Sequence, residues 1–227
     1  MKILVIDIGG TKVKVYANGH NPPVKVESGR HMTARKMVNA VLKIVAGADY
    51  SGVSIGYPGP VKNEKPTKDP HNLAHGWVGF DFDKAFGREV KIMNDAAMQA
   101  LGSYEGRRML FLGLGTGLGS TLIVDGVVAP MELAHLPYKH GRTFEGYLGV
   151  EALKRVGLKK WRQTVLEVVA VLQLALQADY VVLGGGNAKL VTQLPQGIRV
   201  CQDWEAAYLG GCRLWLPPAN LPVVRVA

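Results

Sequence analysis

The chain has 227 residues, of which 48% are hydrophobic and 20% charged, and its formal net charge is +9. This composition is typical of a folded globular protein and excludes a disordered or low-complexity chain. A secretion signal, a membrane span and a disulfide framework are excluded as well, because the apolar stretches are too short and only two cysteines are present, so we expect a cytoplasmic protein.

The first half of the chain is predicted to form an α/β unit that begins with a hairpin of two strands. Residues 12–17 alternate polar and apolar side chains after an apolar strand, so the two strands pair around a Gly9-Gly10 turn. Residues 58–79 hold four prolines and are predicted to form a long irregular loop. The predicted elements are strands at residues 2–7 and 12–17, a helix at 33–46, strands at 52–57 and 90–93, and a helix at 96–102.

The second half repeats this layout, with a glycine-rich turn again joining its first two strands. The predicted elements are strands at residues 108–112, 120–124 and 127–129, helices at 144–156 and 161–177, a strand at 180–183 and a last helix at 204–211. We expect a small N-terminal lobe at residues 1–100 and a larger C-terminal lobe at 101–227, with the last helix packed back on the N-terminal lobe. No flexible linker separates the lobes, so a hinge is expected near residues 95–105.

Two glycine-rich turns, each directly after a predicted strand, point to phosphate binding. They are Asp7-Ile8-Gly9-Gly10-Thr11-Lys12 and Gly113-Leu114-Gly115-Thr116-Gly117-Leu118-Gly119. Because glycine has no Cβ, successive backbone amides in such turns can approach a polyanion closely. Neither turn has the Walker pattern, which disfavours a P-loop fold. The pair predicts a phosphoryl donor held between two lobes.

The order of the motifs along the chain resembles that of the ROK family of repressors and sugar kinases. The shared motifs are Asp7-x-Gly-Gly-Thr-Lys12, Gly56-x-x-Gly59, Asn94-Asp95, Gly113-x-Gly-Thr-Gly117 and Gly184-Gly185-Gly186-Asn187. Within the family, the stretches that contain Glu132, Glu145 and Asp179 look most like those of bacterial polyphosphate glucokinases. The resemblance covers nearly the whole chain. It implies a two-lobed α/β fold of the actin-like ATPase (ribonuclease H-like) type, sugar kinase activity and a homodimer.

The chain departs from the family pattern in two places. Many members carry a zinc motif of three cysteines, whereas residues 137–145 contain no cysteine, so we expect no zinc. Ala134 stands where the family signature has glycine, between Glu132 and His135. This change leaves both polar residues in place and alters how closely the loop approaches a sugar.

The resemblance assigns roles to individual residues. Phosphoryl transfer to a sugar hydroxyl needs a carboxylate that accepts its proton, and the family's catalytic aspartate falls at Asp95. On local sequence alone, a helix cap at Asp95 is an equal alternative. The other predicted sugar contacts are Gly59, Asn72, Asn94, Glu132, His135 and Glu145, of which Asn72 is assigned only from its place in the loop. The predicted phosphate contacts are Asp7, Gly9, Gly10, Thr11, Lys12, Gly115, Thr116, Gly117, Gly184, Gly185, Gly186 and Asn187, with Asp7 also expected to hold Mg²⁺ directly or through water.

The phosphoryl donor is predicted to be polyphosphate, ATP or both. A chain of phosphates needs a row of cations beyond the glycine turns, and two basic clusters are present: Lys62, Lys65 and Lys68, and Lys154, Arg155, Lys159, Lys160 and Arg162. Glucose is the favoured sugar, and another hexose or an N-acetylated sugar is the alternative. A non-catalytic sugar-binding regulator is a further alternative, although we expect no DNA partner and no membrane partner.

Overall fold

The computed structural model describes residues 2–17, 22–201 and 203–216. The chain divides into two compact units, one comprising Met1–Met98 with Ala207–Leu216 and the other comprising Gln99–Ala206. Each unit contains one five-stranded sheet. Two helices, at Asp95–Ser103 and Asp203–Arg213, carry the chain across the division.

The first unit is built on a mixed sheet with strand order β3-β2-β1-β4-β7. Strand β1 pairs antiparallel with β2 and parallel with β4, and β4 pairs parallel with β7. Every residue of β1 and of β4 is buried, as expected for strands at the centre of a sheet that is covered on both faces. The strands of this unit are β1 Ile3–Ile8, β2 Lys12–Tyr16, β3 Val24–Glu27, β4 Gly52–Tyr57, β5 Val61–Lys62, β6 Lys65–Pro66 and β7 Val90–Asn94.

Helices α1 (Ala34–Ile44) and α2 (Phe82–Phe86) contribute buried side chains to the core of the first unit. Thr33 caps α1, because its hydroxyl accepts a hydrogen bond from the Lys36 amide at 3.2 Å. The last helix, α7 (Asp203–Arg213), ends against the same sheet. The hydroxyl of the buried Ser54 in β4 donates to the Gly211 carbonyl at 2.7 Å.

The second unit repeats the strand order of the first, as β10-β9-β8-β11-β12. Here β8 pairs antiparallel with β9 and parallel with β11. The long helix α6 packs on the sheet with a stripe of buried side chains at helical spacing, and its Trp161 indole donates to the Leu148 carbonyl at 3.0 Å. The elements are β8 Arg108–Leu114, β9 Leu118–Val124, β10 Val127–Met131, β11 Tyr180–Gly184 and β12 Ile198–Val200, with helices α3 Asp95–Ser103, α4 Glu145–Leu148, α5 Val150–Val156 and α6 Leu158–Ala175.

The structure corrects the predicted elements at several points. The helix predicted at residues 144–156 is two helices, because the backbone at Gly149 is extended, and the next helix begins at Leu158 and not at 161. Strands β3 and β12 and helix α2 were not predicted, since each has five residues or fewer and no clear periodicity. Within residues 2–17, 22–201 and 203–216, no helix combines the length and apolar character needed to cross a membrane.

Candidate functional site

Asp95 lies at the junction between a strand and a helix, as the sequence predicts. Strand β7 ends at Asn94 and helix α3 begins at Asp95. The Asn94 side chain caps the helix, because its Oδ1 accepts a hydrogen bond from the Ala97 amide at 3.1 Å, while its Nδ2 donates to the Gly59 carbonyl at 3.2 Å. The Asp95 Oδ1 atom accepts a hydrogen bond from the amide of the next residue, Ala96, at 2.8 Å. The hydrogen bond typical of a helix N-cap, to the amide three residues further along, is therefore made by Asn94 and not by Asp95.

The carboxyl group of Asp95 holds its proton more tightly than an ordinary aspartate does. Burial, followed by the nearby charge of Asp7, raises the pKa of Asp95 from 3.8 to about 7. The Ala96 amide and the ammonium group of Lys14 act in the opposite direction and limit the shift. Because the residue keeps partial solvent exposure, this carboxyl can exchange its proton near neutral pH.

Asp7 and Lys14 form an ion pair beside Asp95. The antiparallel register of β1 and β2 places the two residues directly opposite each other, so their side chains share one face of the sheet. Lys14 Nζ lies 2.9 Å from Asp7 Oδ2, and the side chains are 28% and 5% exposed. Gly56 on β4 lies beside the Asp7 carboxylate, because a Cβ there would be 3.4 Å from Asp7 Oδ1, and it packs closely on Met98, whose Cε would be 2.5 Å from that Cβ.

The first glycine turn is tightly closed. The Gly9 amide donates to the Lys12 carbonyl at 2.9 Å, and a Cβ at Gly9 would lie 2.9 Å from the same oxygen. Thr11 is exposed at the tip of the turn. The ammonium group of Lys12, predicted to face phosphates, lies 3.6 Å from the carboxylate of Glu27 on the neighbouring strand β3. That pair is exposed, so the phosphate role of Lys12 stays a prediction while Lys14 is the cation that faces the carboxylates.

Asn72 is placed over the first glycine turn by an anchored loop. A Cβ at Gly10 would lie 3.2 Å from Asn72 Cβ, which brings the predicted sugar contact against the predicted phosphate turn. The Asp69 carboxylate stabilises this loop, because it accepts hydrogen bonds from the Trp77 amide at 2.8 Å and from the Val78 amide at 3.3 Å. These amides, with that of Trp77 contributing most, lower the pKa of Asp69.

The carboxylate of Glu145, from α4, lies against the second glycine turn. Glu145 Oε2 accepts a hydrogen bond from the Leu118 amide at 3.1 Å, and a Cβ at Gly117 would lie 2.0 Å from the same oxygen. On the other side, the Thr116 carbonyl accepts the Val150 amide at 3.2 Å. The turn at Gly115-Thr116-Gly117 is thus held between α4 and α5, and a side chain at position 117 would displace the Glu145 carboxylate.

The Gly184-Gly185-Gly186-Asn187 turn lies against the second glycine turn. Asn187 Nδ2 donates to the Gly115 carbonyl at 3.1 Å, and its backbone amide donates to the Leu114 carbonyl at 2.9 Å. Gly185 has a φ of 82°, and a Cβ there would lie 2.5 Å from the Leu114 oxygen. The structure therefore brings together two of the predicted phosphate segments within the second unit.

Glu132 precedes a single 3₁₀ turn, Leu133–His135, and His135 is its last residue, on the exposed surface of the second unit. Their side chains approach to 3.5 Å and are each 73% exposed. The following loop folds back, because the Phe144 amide donates to the Leu136 carbonyl at 3.1 Å. Leu136 follows His135 and Phe144 precedes Glu145, so this hydrogen bond brings the two ends of the loop together. Three predicted sugar contacts, Glu132, His135 and Glu145, therefore border the same loop.

Residues 3–130 match the model of the ROK family. The chain belongs to the ROK family. Together with the repeated strand order of the two units, the comparison assigns it the α/β fold of the actin-like ATPase type. This confirms the fold predicted from the order of the glycine motifs.

Several ROK proteins and related kinases are similar to the chain over most of its length. The polyphosphate glucokinase of Mycobacterium tuberculosis (strain H37Rv) is 25% identical over 205 residues, which cover 81% of this chain and 77% of the relative. The crystal structure of the inorganic polyphosphate/ATP-glucomannokinase from Arthrobacter sp. strain KM has a TM-score of 0.75 and 22% identity, covering 94% of this chain and 98% of that one. A ROK family glucokinase from Streptomyces griseus, in complex with glucose and AMPPNP, has a TM-score of 0.74 and 18% identity, covering 94% and 99%.

The metal expected in a ROK kinase fits this chain only as a lightly held ion. Mg²⁺ is commonly bound by one or two carboxylates together with substrate phosphates and waters. Asp7 is the carboxylate beside the first glycine turn, and its Oδ2 is already paired with Lys14. Asp7 would therefore hold Mg²⁺ through water or through its other oxygen, with donor phosphates completing the coordination. In the part of the chain that the structure describes, no cluster of three or more His, Cys, Asp or Glu side chains is arranged to hold a metal.

The loop that lacks the ROK zinc cysteines is held by aromatic side chains. The rings of Tyr138 and Phe144 stack at 4.9 Å, and Tyr138 meets Tyr147 edge to face at 5.2 Å. The Tyr138 amide also donates to the Arg142 carbonyl at 2.8 Å. Ring packing and backbone hydrogen bonds thus close this loop.

The second basic cluster is less available to an anion than the sequence suggests. Arg155 donates to the Gly146 carbonyl at 2.8 Å, and Arg162 donates to the Leu190 carbonyl. Lys154 pairs with Glu151 at 2.8 Å, although that pair is exposed. Lys159 and Lys160, both exposed at the start of α6, are the members of the cluster best placed to meet a polyanion.

Lys14 was missed by the sequence analysis. The observed strand pairing centres the hairpin between Gly10 and Thr11, so position 14 faces position 7 across the two strands. The predicted turn at Gly9-Gly10 places position 12 there instead, and Lys12 also belongs to the recognised motif. The exact register of the hairpin, which the motif does not give, is what identifies Lys14.

Proposed function

We propose that this ROK protein is a hexose kinase that transfers a phosphoryl group to the 6-hydroxyl of glucose, with Asp95 as the general base. The proposal depends on the carboxyl group of Asp95, which lies where strand β7 meets helix α3, beside the Asp7–Lys14 pair. Its pKa is raised to about 7. A general base works best when its pKa lies near the operating pH. A purely structural aspartate at a helix start would have its pKa lowered by capping, and not raised by burial.

Each unit contains proposed sugar contacts. In the first unit, Asn94 and Gly59 are joined by a hydrogen bond, and Asn72 lies against Gly10. Each of these groups keeps hydrogen-bonding capacity for a hydroxyl, because an amide has two donors and two lone pairs on its oxygen. In the second unit, Glu132, His135 and Glu145 are the proposed contacts. Rejection of the wrong hexose would follow from leaving such groups unpaired.

The proposed donor is polyphosphate, ATP or both. Support comes from the names of the similar proteins, a polyphosphate glucokinase and a polyphosphate/ATP-glucomannokinase, and from the two glycine-rich turns of the second unit, which lie against each other. The exposed pair Lys159 and Lys160 is the proposed start of a path for further phosphates. Exposed cations act through screened charge, so polyphosphate use would weaken with salt more than ATP use.

The test is a set of initial rates for glucose, mannose, fructose and an N-acetylated hexosamine against ATP and polyphosphate at two salt concentrations. We expect phosphate transfer to glucose, and mannose is the second acceptor to examine because one similar structure is a glucomannokinase. Lys159→Ala with Lys160→Ala should raise the KM for polyphosphate, whereas Lys154→Ala is the matched control because its ammonium is already paired with Glu151. A protein that binds sugar and transfers phosphate from neither donor would be a regulator and not a kinase.

A further inference from the structure

Three charged side chains of the first unit form a cluster with an excess of one negative charge. Asp7 and Lys14 are paired at 2.9 Å, and both act electrostatically on Asp95. A phosphoryl group that arrives next to this cluster brings further negative charge, which two carboxylates would repel. Lys14 is the ammonium group that the cluster itself contains, and its side chain keeps 28% exposure. The cluster thus already holds a cation where transfer requires one.

We propose that Lys14 contacts the phosphoryl group during its transfer and is a catalytic residue of the kinase; this inference rests on the function proposed above. In the transfer step, the sugar 6-oxygen forms a bond to phosphorus while the bond from phosphorus to the donor oxygen breaks. The donor oxygen leaves with the electron pair of that bond, and Asp95 takes the hydroxyl proton. Lys14 transfers no proton and stabilises the charge on the equatorial phosphoryl oxygens.

The structure distinguishes Lys14 from Lys12, although both lie on the same face of β2. Lys12 is opposite Glu27 on β3 and lies 3.6 Å from its carboxylate, in a pair whose side chains are 50% and 82% exposed. Lys14 is opposite Asp7 on β1 and is half as exposed. Two residues along the strand therefore separate a solvated ion pair from one that borders the proposed base. An ammonium in a less hydrated place acts more strongly on a nearby charge.

The proposal is tested with Lys14→Met, Lys14→Arg and the control Lys2→Met, because Lys2 is an exposed lysine of the same unit whose ion pair with Asp49, at 2.9 Å, is not part of the proposed site. We expect Lys14→Met to lower kcat by about 10²-fold or more, as loss of one charge-stabilising group does in other enzymes, while the glucose affinity stays at its wild-type value. Lys14→Arg should recover part of the loss, and Lys2→Met should behave as the wild type. Equal turnover in Lys14→Met and Lys2→Met would overturn the inference.

A binding measurement without donor or metal separates this inference from the proposed function. Calorimetry with glucose 6-phosphate should show about tenfold or greater weakening in Lys14→Met, since a charge-assisted hydrogen bond is lost, and no change with glucose. An unchanged affinity for glucose 6-phosphate would overturn the role of Lys14 even if the wild type is active. A wild type that transfers no phosphate from either donor would instead overturn the proposed function.

Lys14→Met leaves the buried Asp7 carboxylate without its ion pair, so the variant risks a loss of stability. The double variant Asp7→Asn with Lys14→Met removes both charges and keeps the net charge of the cluster. If it folds and binds glucose normally but still binds glucose 6-phosphate weakly, the missing ammonium is responsible. If its affinity for glucose 6-phosphate equals that of the wild type, Lys14 serves only to neutralise Asp7 and the proposal is wrong.

Discussion

Replacing Asp95 with asparagine should stabilise the fold at high pH while it removes catalysis. The pKa of Asp95 is about 7 in the folded protein against an ordinary value of 3.8. Between these two pH values the folded state binds more protons than the unfolded state, so stability decreases as pH rises. Above pH 7 the full cost is present, and a shift from 3.8 to about 7 corresponds to roughly 4 kcal/mol. Asparagine carries no such cost and keeps an oxygen for the Ala96 amide.

The assay is urea unfolding of the wild type and of Asp95→Asn across the range from acidic to alkaline pH, followed by tryptophan fluorescence. The difference in free energy of unfolding should be small near pH 4, grow up to about pH 7 and then level off. Asp81→Asn is the matched control, because Asp81 is an exposed helix cap and asparagine caps equally well. A difference for Asp95→Asn that does not grow with pH would refute the assignment of a raised pKa to this carboxyl.

The same pKa sets the pH dependence of the proposed reaction. A general base must be deprotonated to act, so kcat/KM of the wild type should rise with pH and level off above an apparent pKa of about 7. Asp95→Asn should lose about 10²–10⁴-fold in kcat while glucose still binds, and the remaining activity should not follow this pH profile. A gain in stability that accompanies a loss of activity is the pattern expected when a site is held in an unfavourable electrostatic state.

The second glycine turn, in the second unit, and the sheet of the first unit give two further predictions. Gly117→Ala should weaken donor use, because its Cβ would lie 2.0 Å from Glu145 Oε2, and Gly115→Ala, whose Cβ meets nothing within 4 Å, should raise the donor KM less; equal effects of the two changes would argue against the close packing. Ser54→Ala should lower the free energy of unfolding by about 1–3 kcal/mol in a urea titration, because the buried Gly211 carbonyl loses its 2.7 Å partner; an unchanged unfolding midpoint would contradict this role.

The positions of the main elements follow from local pattern, and the sequence was sufficient for them. An apolar strand followed by Asn94-Asp95 and a helical stretch predicts where the carboxylate lies, and the structure agrees. What local pattern does not reveal is which of the two residues caps the helix, because asparagine and aspartate are equally good caps. The Asn94 assignment needs the distance to the Ala97 amide, and the raised pKa of Asp95 needs its burial.

Long-range pairing accounts for most of what the sequence analysis missed. The edge strands β3 and β12 have four and three residues and are stabilised by their neighbours in the sheet, so they carry little pattern of their own. The contact between Glu145 and the turn at Gly117 joins residues far apart in the chain. Such contacts depend on tertiary structure, which motif spacing alone does not describe.

The two sheets share one strand order, but different residue pairs border their hairpin turns. In the hairpin of the first unit, the second residue pair from the turn is Asp7 opposite Lys14, so charged side chains border the turn. In the hairpin of the second unit, the corresponding pair is Gly113 opposite Gly119, so neither strand presents a side chain there. Charged side chains can act on a proton or on a phosphoryl group, whereas bare backbone can approach the rest of a polyanion closely. In the proposed function, the first hairpin supplies reacting groups and the second supplies backbone for the donor, so a duplicated fold divides these roles without any change in topology.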